Sequence, residues 1–527
     1  MSRYYVTTPI YYVNDDPHIG HAYTTLACDA LARFMRLDGR DVRFLTGTDE
    51  HGQKVEKAAA EKGIDPQSFT DEISKNFRRL ADVMNFSYDD FIRTTEPRHI
   101  ASCQAIWKAI ASKQSPLGQD NIYLSKYAGW YAVRDEAFYT EGELEERPSG
   151  KKIAPSGAEV EWVEEPSYFF RLSDWQDALL KFYADNPDFI APASRRNEVV
   201  SFVEGGLNDL SISRTTFNWG VPVPEDEDHI MYVWLDALTN YITAVGHPDS
   251  DADLWQYWPA NLHMVGKDIL RFHTVYWPAF LMAAGIEPPK RVFAHGWWTN
   301  EGQKISKSVG NIIDPFELVE KYGLDPIRYF LLRQVPFGND GDFSHQAMVH
   351  RLNSDLANDL GNLCQRVMSM IFRNCDGKIP ESHSLNARDE QFVTAISDSL
   401  DDLRALMEAQ AFHQALELLW RHVADANRYV DELAPWELRK SDPPRMETVL
   451  YTLAEGIRNI AILASPFMPG SMDKVFETLG VGEAERSFDR LGLAHALTPG
   501  TPMPGKPQPI FPRFVEEEDG WSDHAGR

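Results

Sequence analysis

A chain of 527 residues with 43% apolar content has material for a large buried core, and its length suggests about three domains. The formal net charge of −27 favours a soluble protein and excludes indiscriminate nucleic-acid binding, because an acidic surface repels phosphate; any RNA contact has to be local and specific. Four scattered cysteines (Cys28, Cys103, Cys364, Cys375) form no C-x-x-C pair, which excludes a disulfide framework and a thiol zinc site and fits a reducing compartment.

The opening "MSRYYVTTPIYYV" carries neither a signal peptide nor an Arg/Ser-rich presequence. No uninterrupted apolar run reaches membrane-spanning length, so the expectation is a cytoplasmic protein without membrane contact. "RYYVTTPIYYV" predicts a buried strand, residues 22–36 a helix, "DVRFLTG" a second strand, and helices follow from Lys54 and from Pro66. This alternation over residues 1–114 predicts an α/β doubly wound, Rossmann-type parallel sheet. Residues 115–228 mix turns, short strands and charges and read as a connective insertion. The alternation resumes over 229–300 in "HIMYVWLDAL", "NLHMVGKDIL" and "RVFAHGWW", so the sheet is split by the insertion. Residues 301–344 hold a charged loop and a linker, and helices dominate 345–496. The tail, 497–527, is Pro-rich and then acidic, and is expected to be loosely ordered.

The first strand hands over to the first helix through "VNDDPHIGHAYTT". In a doubly wound sheet, ligands sit beyond the carboxyl ends of strands, facing the positive N-terminus of the next helix. Asp15 or Asp16 is placed to cap that helix, and Pro17 suits its first turn. Gly20 lets a nucleotide approach the backbone, and His18 and His21 can donate to phosphate oxygens, where charge builds during nucleotide transfer. A second motif, "NEGQKISKSVGN", places Lys304, Ser306, Lys307 and Ser308 in a loop flanked by Gly302 and Gly310. Its lysines can clamp a pyrophosphate leaving group, and its glycines let the loop close. Alone, this loop reads as a solvated basic turn; its place after the second half of the sheet, paired with the first motif, favours the phosphate reading.

H-I-G-H followed far downstream by K-I-S-K-S resembles the signature pair of class I aminoacyl-tRNA synthetases, with Ile305 in place of the usual Met. Within the class, "TTPIYYVNDDPHIGHAY", "TGTDEHG", "YVWLDAL", "GKDILRFHTVYWPAFL" and "LAPWELRK", in that order, are similar to the methionyl-tRNA synthetase family, from Tyr4 to about Met468. The resemblance implies activation of L-methionine with ATP, transfer to tRNA-Met (initiator and elongator), and an anticodon-binding role for the all-α part. His18, His21, Lys304 and Lys307 are then the expected catalytic residues. Gly20, Gly266, Asp268, Ser306 and Ser308 are the expected ATP contacts; Asp268 is equally placed to cap the helix that follows it. Mg2+ is expected to arrive with the nucleotide, since no dedicated cage is visible.

The residues themselves suit a thioether substrate. Ile10 and Tyr12, two apart on a predicted strand, share a face. Ile269, His273 and Trp277, four apart, line one predicted helix face, and "VWLDALTNY" adds Trp234, Ala237, Leu238 and Tyr241. An aromatic, mostly apolar cavity fits a flexible, polarisable methionine side chain, and Asp49 is the natural partner for its ammonium. On the helical side, Asn358, Asn362 and Arg366 at i, i+4, i+8 predict one polar stripe. Pro435 and Trp436 present an indole for stacking on an unstacked base. These positions match the family's anticodon readers.

Where relatives carry zinc-binding cysteine pairs, this chain has Ala132, Asp135, Ile153 and Ser156, so no structural zinc is expected. The chain lacks the extra C-terminal domain some relatives use to dimerise, so a monomer is expected. The alternatives are another class I synthetase or a non-catalytic tRNA-binding paralogue. The missing editing insertion and thiolate site argue against the first, and intact His18, His21, Lys304 and Lys307 against the second.

Overall fold

The computed structural model describes residues 2–13, 16–135, 137–147, 150–305 and 311–515, and main chain only at 127, 165 and 304 and at 137–138. It divides into two compact units: Met1–Ala32 with Arg40–Gly296, and Arg33–Gly39 with Trp297–Arg527.

The first unit is built on a parallel sheet of seven strands. In chain order these are β1 (Arg3–Thr7), β2 (Tyr11–Tyr12), β3 (Asp41–Asp49), β4 (Asp90–Arg93), β5 (Ile190–Ala191), β6 (Leu262–Gly266) and β7 (Val292–His295). The spatial order is β5-β7-β6-β1-β3-β2, with β4 also pairing β3, and every pairing is parallel. Strand order reverses between β1 and β6, which opens a crevice beyond their carboxyl ends. The stretch read as one strand is two: residues 8–10 break it, so Ile10 lies in the link between β1 and β2 rather than on a strand. Pro9 supplies no amide hydrogen for a ladder there.

Helix α1 (Ile19–Leu37) starts earlier than the pattern predicted. Pro17 lies outside it, and Asp16 turns away to accept from Asn76 Nδ2 at 2.7 Å instead of capping; Asp15 lies outside the described residues. Helices α2 (Val233–Thr243) and α3 (Trp277–Ala284) flank the site. The insertion holds a four-stranded antiparallel sheet (Ile122–Ala132, Ala137–Tyr139, Glu161–Phe170, Leu210–Ser211). Its span is not wholly separate, because β5 returns to the main sheet and pairs β7. Phe170, Leu179 and Tyr183 share one apolar core with Tyr5, Val265 and Phe280. The resumed pattern also begins differently: Asp226–Met231 belongs to a small antiparallel sheet, and the main sheet resumes only at β6.

In the second unit the residues read as a linker carry structure. Trp298–Asn300 pairs with Gln303–Lys304 and with Gly341–Phe343, and helices span Pro315–Tyr322 and Leu324–Arg333. Helix Pro315–Tyr322 is capped by the Asp314 side chain, with Pro at its first position. The longer helices Phe412–Leu433 and Pro443–Ala464 carry the core, and Pro443–Ala464 is buried along most of its length. A buried Arg458–Glu455 ion pair at 3.0 Å sits inside it. The tail is ordered further than its composition suggested. Met503, Ile510 and Phe511 are buried, and Asn353 exchanges two hydrogen bonds with the Phe514 main chain at 2.8 and 3.1 Å. Apolar residues every few positions in a Pro-rich segment anchor it as a strap. Residues 516–527 lie outside the described residues.

Candidate functional site

The carboxyl ends of β1, β3, β6 and β7 deliver the first unit's candidate residues to one end of the sheet. His18 and His21 stack with ring centroids 3.9 Å apart at the start of α1. His21 Nδ1 accepts from the His18 amide and His18 Nδ1 accepts from the Gly20 amide, both at 3.1 Å. A backbone N–H can only donate, so in the neutral form each ring carries its proton on Nε2. Burial lowers the pKa of His18, partly offset by Asp268; burial and then His18 hold His21 well below its usual value. The pair therefore presents neutral Nε2–H donors. A Cβ on Gly20 would lie 2.9 Å from His18 Cε1, so this glycine makes room for the His18 ring.

After β6, Gly266 occupies the N-cap position and Asp268 lies within the first turn, so the capping alternative for Asp268 is not what the structure shows. A Cβ on Gly266 would meet Asp268 Oδ1 at 2.5 Å. The Asp268 carboxylate acts on His18, His273 and His295, raising each against the lowering effect of burial. His295, at the end of β7, lies 2.7 Å from Thr24 Oγ1 on α1 and ties that strand to the helix bearing the histidine pair.

The aromatic residues gather beside this. Ile10, Tyr12, Trp234, Leu238, Tyr241, Ile269 and Trp277 belong to one apolar cluster, and Ala237 is buried next to Leu238. Ile10, Tyr12, Trp234 and Ile269 are its partly exposed members; Leu238, Tyr241, His273 and Trp277 are buried. The Tyr241 hydroxyl lies 2.7 Å from His273 Nε2, and His273 Nδ1 lies 2.9 Å from the Ile269 carbonyl. The carbonyl fixes the proton on Nδ1, so Tyr241 donates to Nε2. Burial lowers His273 to about 4 and pushes Tyr241 well above its usual value, so both are neutral. Trp234 stacks flat on Phe272 at 3.6 Å, a neighbour that the spacing did not single out. Ile269, His273 and Trp277 do not lie on one regular helix face: a 3₁₀ turn (Lys267–Ile269) and a π turn (Phe272–Tyr276) precede α3, and Pro278 follows.

Asp49 closes β3 opposite Tyr12, its register partner on β2, and is nearly buried. The next residue, Glu50, is fully buried and takes a two-point contact from Arg93 at 2.7 and 2.9 Å, plus hydroxyls of Thr48 and Thr95. His51, His99 and Asp236, which sequence reasoning missed, form a buried network nearby. His51 and Asp236 both lie within the quoted motifs, but 185 positions separate them, and only the fold pairs them. Ser306, Lys307, Ser308 and Gly310 lie outside the described residues, and of Lys304 only the strand position is described.

In the second unit, Arg366 and Trp436 meet: the guanidinium carbon is 5.7 Å from the indole centroid, and Arg366 donates to Asp431 at 2.7 Å. Trp436 is 44% exposed, so it is not a core residue, while the preceding Pro435 is buried at the first position of helix Pro435–Ser441. Asn362 and Arg366 share a face of helix Asn362–Asn374. Asn358 falls in π-helical Leu352–Gly361, where four residues fall short of a turn, so the predicted straight stripe is displaced there. Asn358 and Asn362 are both exposed.

In the insertion, the Ser156 hydroxyl donates to Asp135, which also accepts from Tyr139 at 2.9 Å. Ala132 packs in a small cluster with Ala154 and Ala158.

Comparison with known proteins adds the following. The family described as tRNA synthetases class I (M) matches residues 4–368, and the anticodon binding domain of methionyl tRNA ligase matches 379–526. The methionine–tRNA ligase of Mesorhizobium japonicum is 56% identical over 98% of this chain and 99% of its own length. That of Brucella suis is 56% identical over 98% of this chain and all of its own length. The structure of Mycobacterium tuberculosis methionyl-tRNA synthetase in complex with methionyl-adenylate superposes with a TM-score of 0.93 at 51% identity, over 97% of this chain and 100% of that one.

Proposed function

The chain belongs to the methionyl-tRNA synthetase family of class I tRNA synthetases, and on that premise we propose how its residues divide the work. The reaction has two steps. The methionine carboxylate attacks the α-phosphorus of ATP, a new C(O)O–P bond forms, and pyrophosphate leaves. The 3'-terminal adenosine of tRNA-Met then attacks the carbonyl carbon of methionyl-adenylate, and AMP leaves.

Methionine lies with its side chain among Ile10, Tyr12, Trp234, Ala237, Leu238, Tyr241, Ile269, His273 and Trp277. Its ammonium faces Asp49. The neutral Nε2–H groups of His18 and His21 donate to phosphate oxygens as charge develops there, without taking a proton away from the reaction. Gly20, Gly266, Asp268, Ser306 and Ser308 border ATP, and Lys304 and Lys307 hold the departing pyrophosphate. Mg2+ offsets phosphate charge and enters with the nucleotide. Among the described residues, the grouping of ligand-type side chains at His99, Cys103 and Asp236 is buried and internally hydrogen-bonded, which does not suit a nucleotide-bound ion. Asn358, Asn362, Arg366, Pro435 and Trp436 read the anticodon.

At the positions where the family resemblance implies zinc ligands, Ser156 donates to Asp135 and Ala132 packs with Ala154 and Ala158, which supports a chain without structural zinc. Ala132 and Ile153 offer no donor atom, so the fit to a four-ligand zinc site fails. Stoichiometric zinc in metal analysis of untagged protein would contradict this. The protein acts in the cytoplasm as a monomer, on initiator and elongator tRNA. The acidic net charge supports a soluble location, and among the described residues no helix is long and apolar enough to cross a membrane.

One observation carries the residue assignment: Asp49 and Tyr12 are register partners beside the Trp234–Tyr241–His273 cluster, at the sheet end that also presents the histidine pair. Asp49→Asn tests it. Removing one side of a buried charge pair costs about 3–5 kcal/mol, less if water enters. Methionine and methioninol both carry the ammonium, so both should weaken together. Loss of methionine affinity with methioninol binding retained would reject Asp49 as the ammonium partner.

A further inference from the structure

Asp236 lies on α2 within the run that supplies Trp234, Ala237, Leu238 and Tyr241, and its carboxylate has no part in the division of work proposed for the reaction. It is fully buried. Oδ2 lies 2.6 Å from His51 Nδ1 and Oδ1 lies 2.7 Å from His99 Nε2. The other His99 nitrogen is 3.3 Å from Thr243 Oγ1, back on α2. Burial works to raise the Asp236 carboxyl, but the facing imidazoles of His51 and His99 outweigh it and hold the group well below the usual range. An ionised carboxylate accepts at both oxygens, so each imidazole donates one N–H. Cys103 Sγ lies 3.2 Å from His99 Nε2, and its thiol is pushed well up by burial and then by Asp236. It is a thiol, which suits a hydrogen-bonded network better than a metal centre.

The network reaches the Asp49 segment. His51 follows Asp49 by two residues, and its carbonyl accepts from the Tyr12 hydroxyl at 3.0 Å. Its ring packs edge-on against Trp219 at 5.5 Å, and Trp219 Nε1 donates to the Glu50 carbonyl at 2.5 Å. Asp49 itself is close enough to Cys103 to raise the thiol further. A helix bearing Trp234, Leu238 and Tyr241 and the end of β3 bearing Asp49, with Tyr12 beside it on β2, are thus joined through one carboxylate.

We propose that Asp236 is a positioning residue for methionine: shared between His51 and His99, it sets the Asp49–His51 segment against the aromatic helix α2. This rests on Asp49 as the ammonium partner. An amide in its place keeps one acceptor oxygen and turns an NH2 toward the second imidazole, so one of the two contacts is lost. Displacing a positioning group by about 1 Å costs on the order of 10²-fold.

The test measures methionine-dependent ATP–pyrophosphate exchange in the full-length chain. Asp236→Asn should raise KM for methionine roughly 10- to 100-fold, with KM for ATP and kcat at saturating methionine within a few-fold of wild type. KM does not change with the fraction of molecules folded, so a destabilised variant still reads out. His51→Gln, which removes the segment's end of the contact, should give the same split, and the double variant should add little to either. Should Asp236→Asn fail to fold, His51→Gln decides alone. Unchanged methionine KM, an equal rise for ATP, or loss of kcat alone would overturn the proposal. Asp49→Asn measured alongside separates the two claims. If it leaves methionine KM unchanged, the ammonium assignment fails; if it raises KM while Asp236→Asn and His51→Gln do not, the positioning role fails.

Discussion

Trp436→Ala should separate the two ends of the reaction. The indole is 44% exposed and its packing partner is the Arg366 guanidinium, 5.7 Å from the ring centroid. An exposed cation–π contact is worth about 0.5–1 kcal/mol, so the folded state loses little. Stacking on an unstacked base is worth about 1–3 kcal/mol, which converts to a roughly 5- to 150-fold loss in charging of tRNA-Met. On the proposed assignment, pyrophosphate exchange without tRNA makes no use of Trp436 and should stay near wild type. Aminoacylation, exchange and melting temperature are measured on one preparation. Equal loss in both activities with a clearly lower melting temperature would refute the anticodon role and make Trp436 structural.

Tyr241→Phe removes the donor 2.7 Å from His273 Nε2 and leaves a buried acceptor unsatisfied. Urea denaturation should show a loss of about 1–3 kcal/mol, and KM for methionine should rise while KM for ATP holds; unchanged values for both stability and methionine KM would count against the pocket. Stability should also fall with acid. Burial depresses His21, His263 and His273 below their usual 6.5, His273 to about 4. Below about pH 6.5 the unfolded chain binds protons that the folded chain does not, so this contribution is complete above about pH 6.5 and is lost as pH falls, for His273 down to about pH 4. Each group adds up to about 1.36 kcal/mol per pH unit. His273→Gln should flatten that slope by one proton, and a pH-independent stability across this window would reject the neutral buried assignment. Gly20→Ala puts a methyl 2.9 Å from His18 Cε1 and should slow exchange by displacing the ring; wild-type exchange would show the ring position to be unimportant.

Much of the candidate site was legible because its residues sit in short local patterns. The histidine pair is three residues apart, and the aromatic residues cluster on two short runs, Trp234–Tyr241 and Ile269–Trp277. The α/β alternation was equally plain, since strand and helix periods differ. Helix geometry was less so. The π turn at Phe272–Tyr276 and π-helical Leu352–Gly361 both change the face a given spacing presents, and side-chain type alone does not announce them. The predicted cap of α1 fails at Asp16 because that carboxylate accepts from Asn76, 60 residues away, instead of from a helix amide. The His51–Asp236–His99 network was hidden for the same reason: its members come from separate segments, and each reads singly as an ordinary buried polar residue.

The most direct measurement of the central claim is amino-acid-dependent ATP–pyrophosphate exchange across a panel including methionine, cysteine, leucine and isoleucine. The proposed methionine site, with Trp234, Tyr241 and His273 around the side chain and Asp49 facing the ammonium, predicts strong exchange with methionine and little with the others at equal concentration. Exchange driven equally well by cysteine or a branched-chain amino acid, or no exchange with any of them, would contradict it.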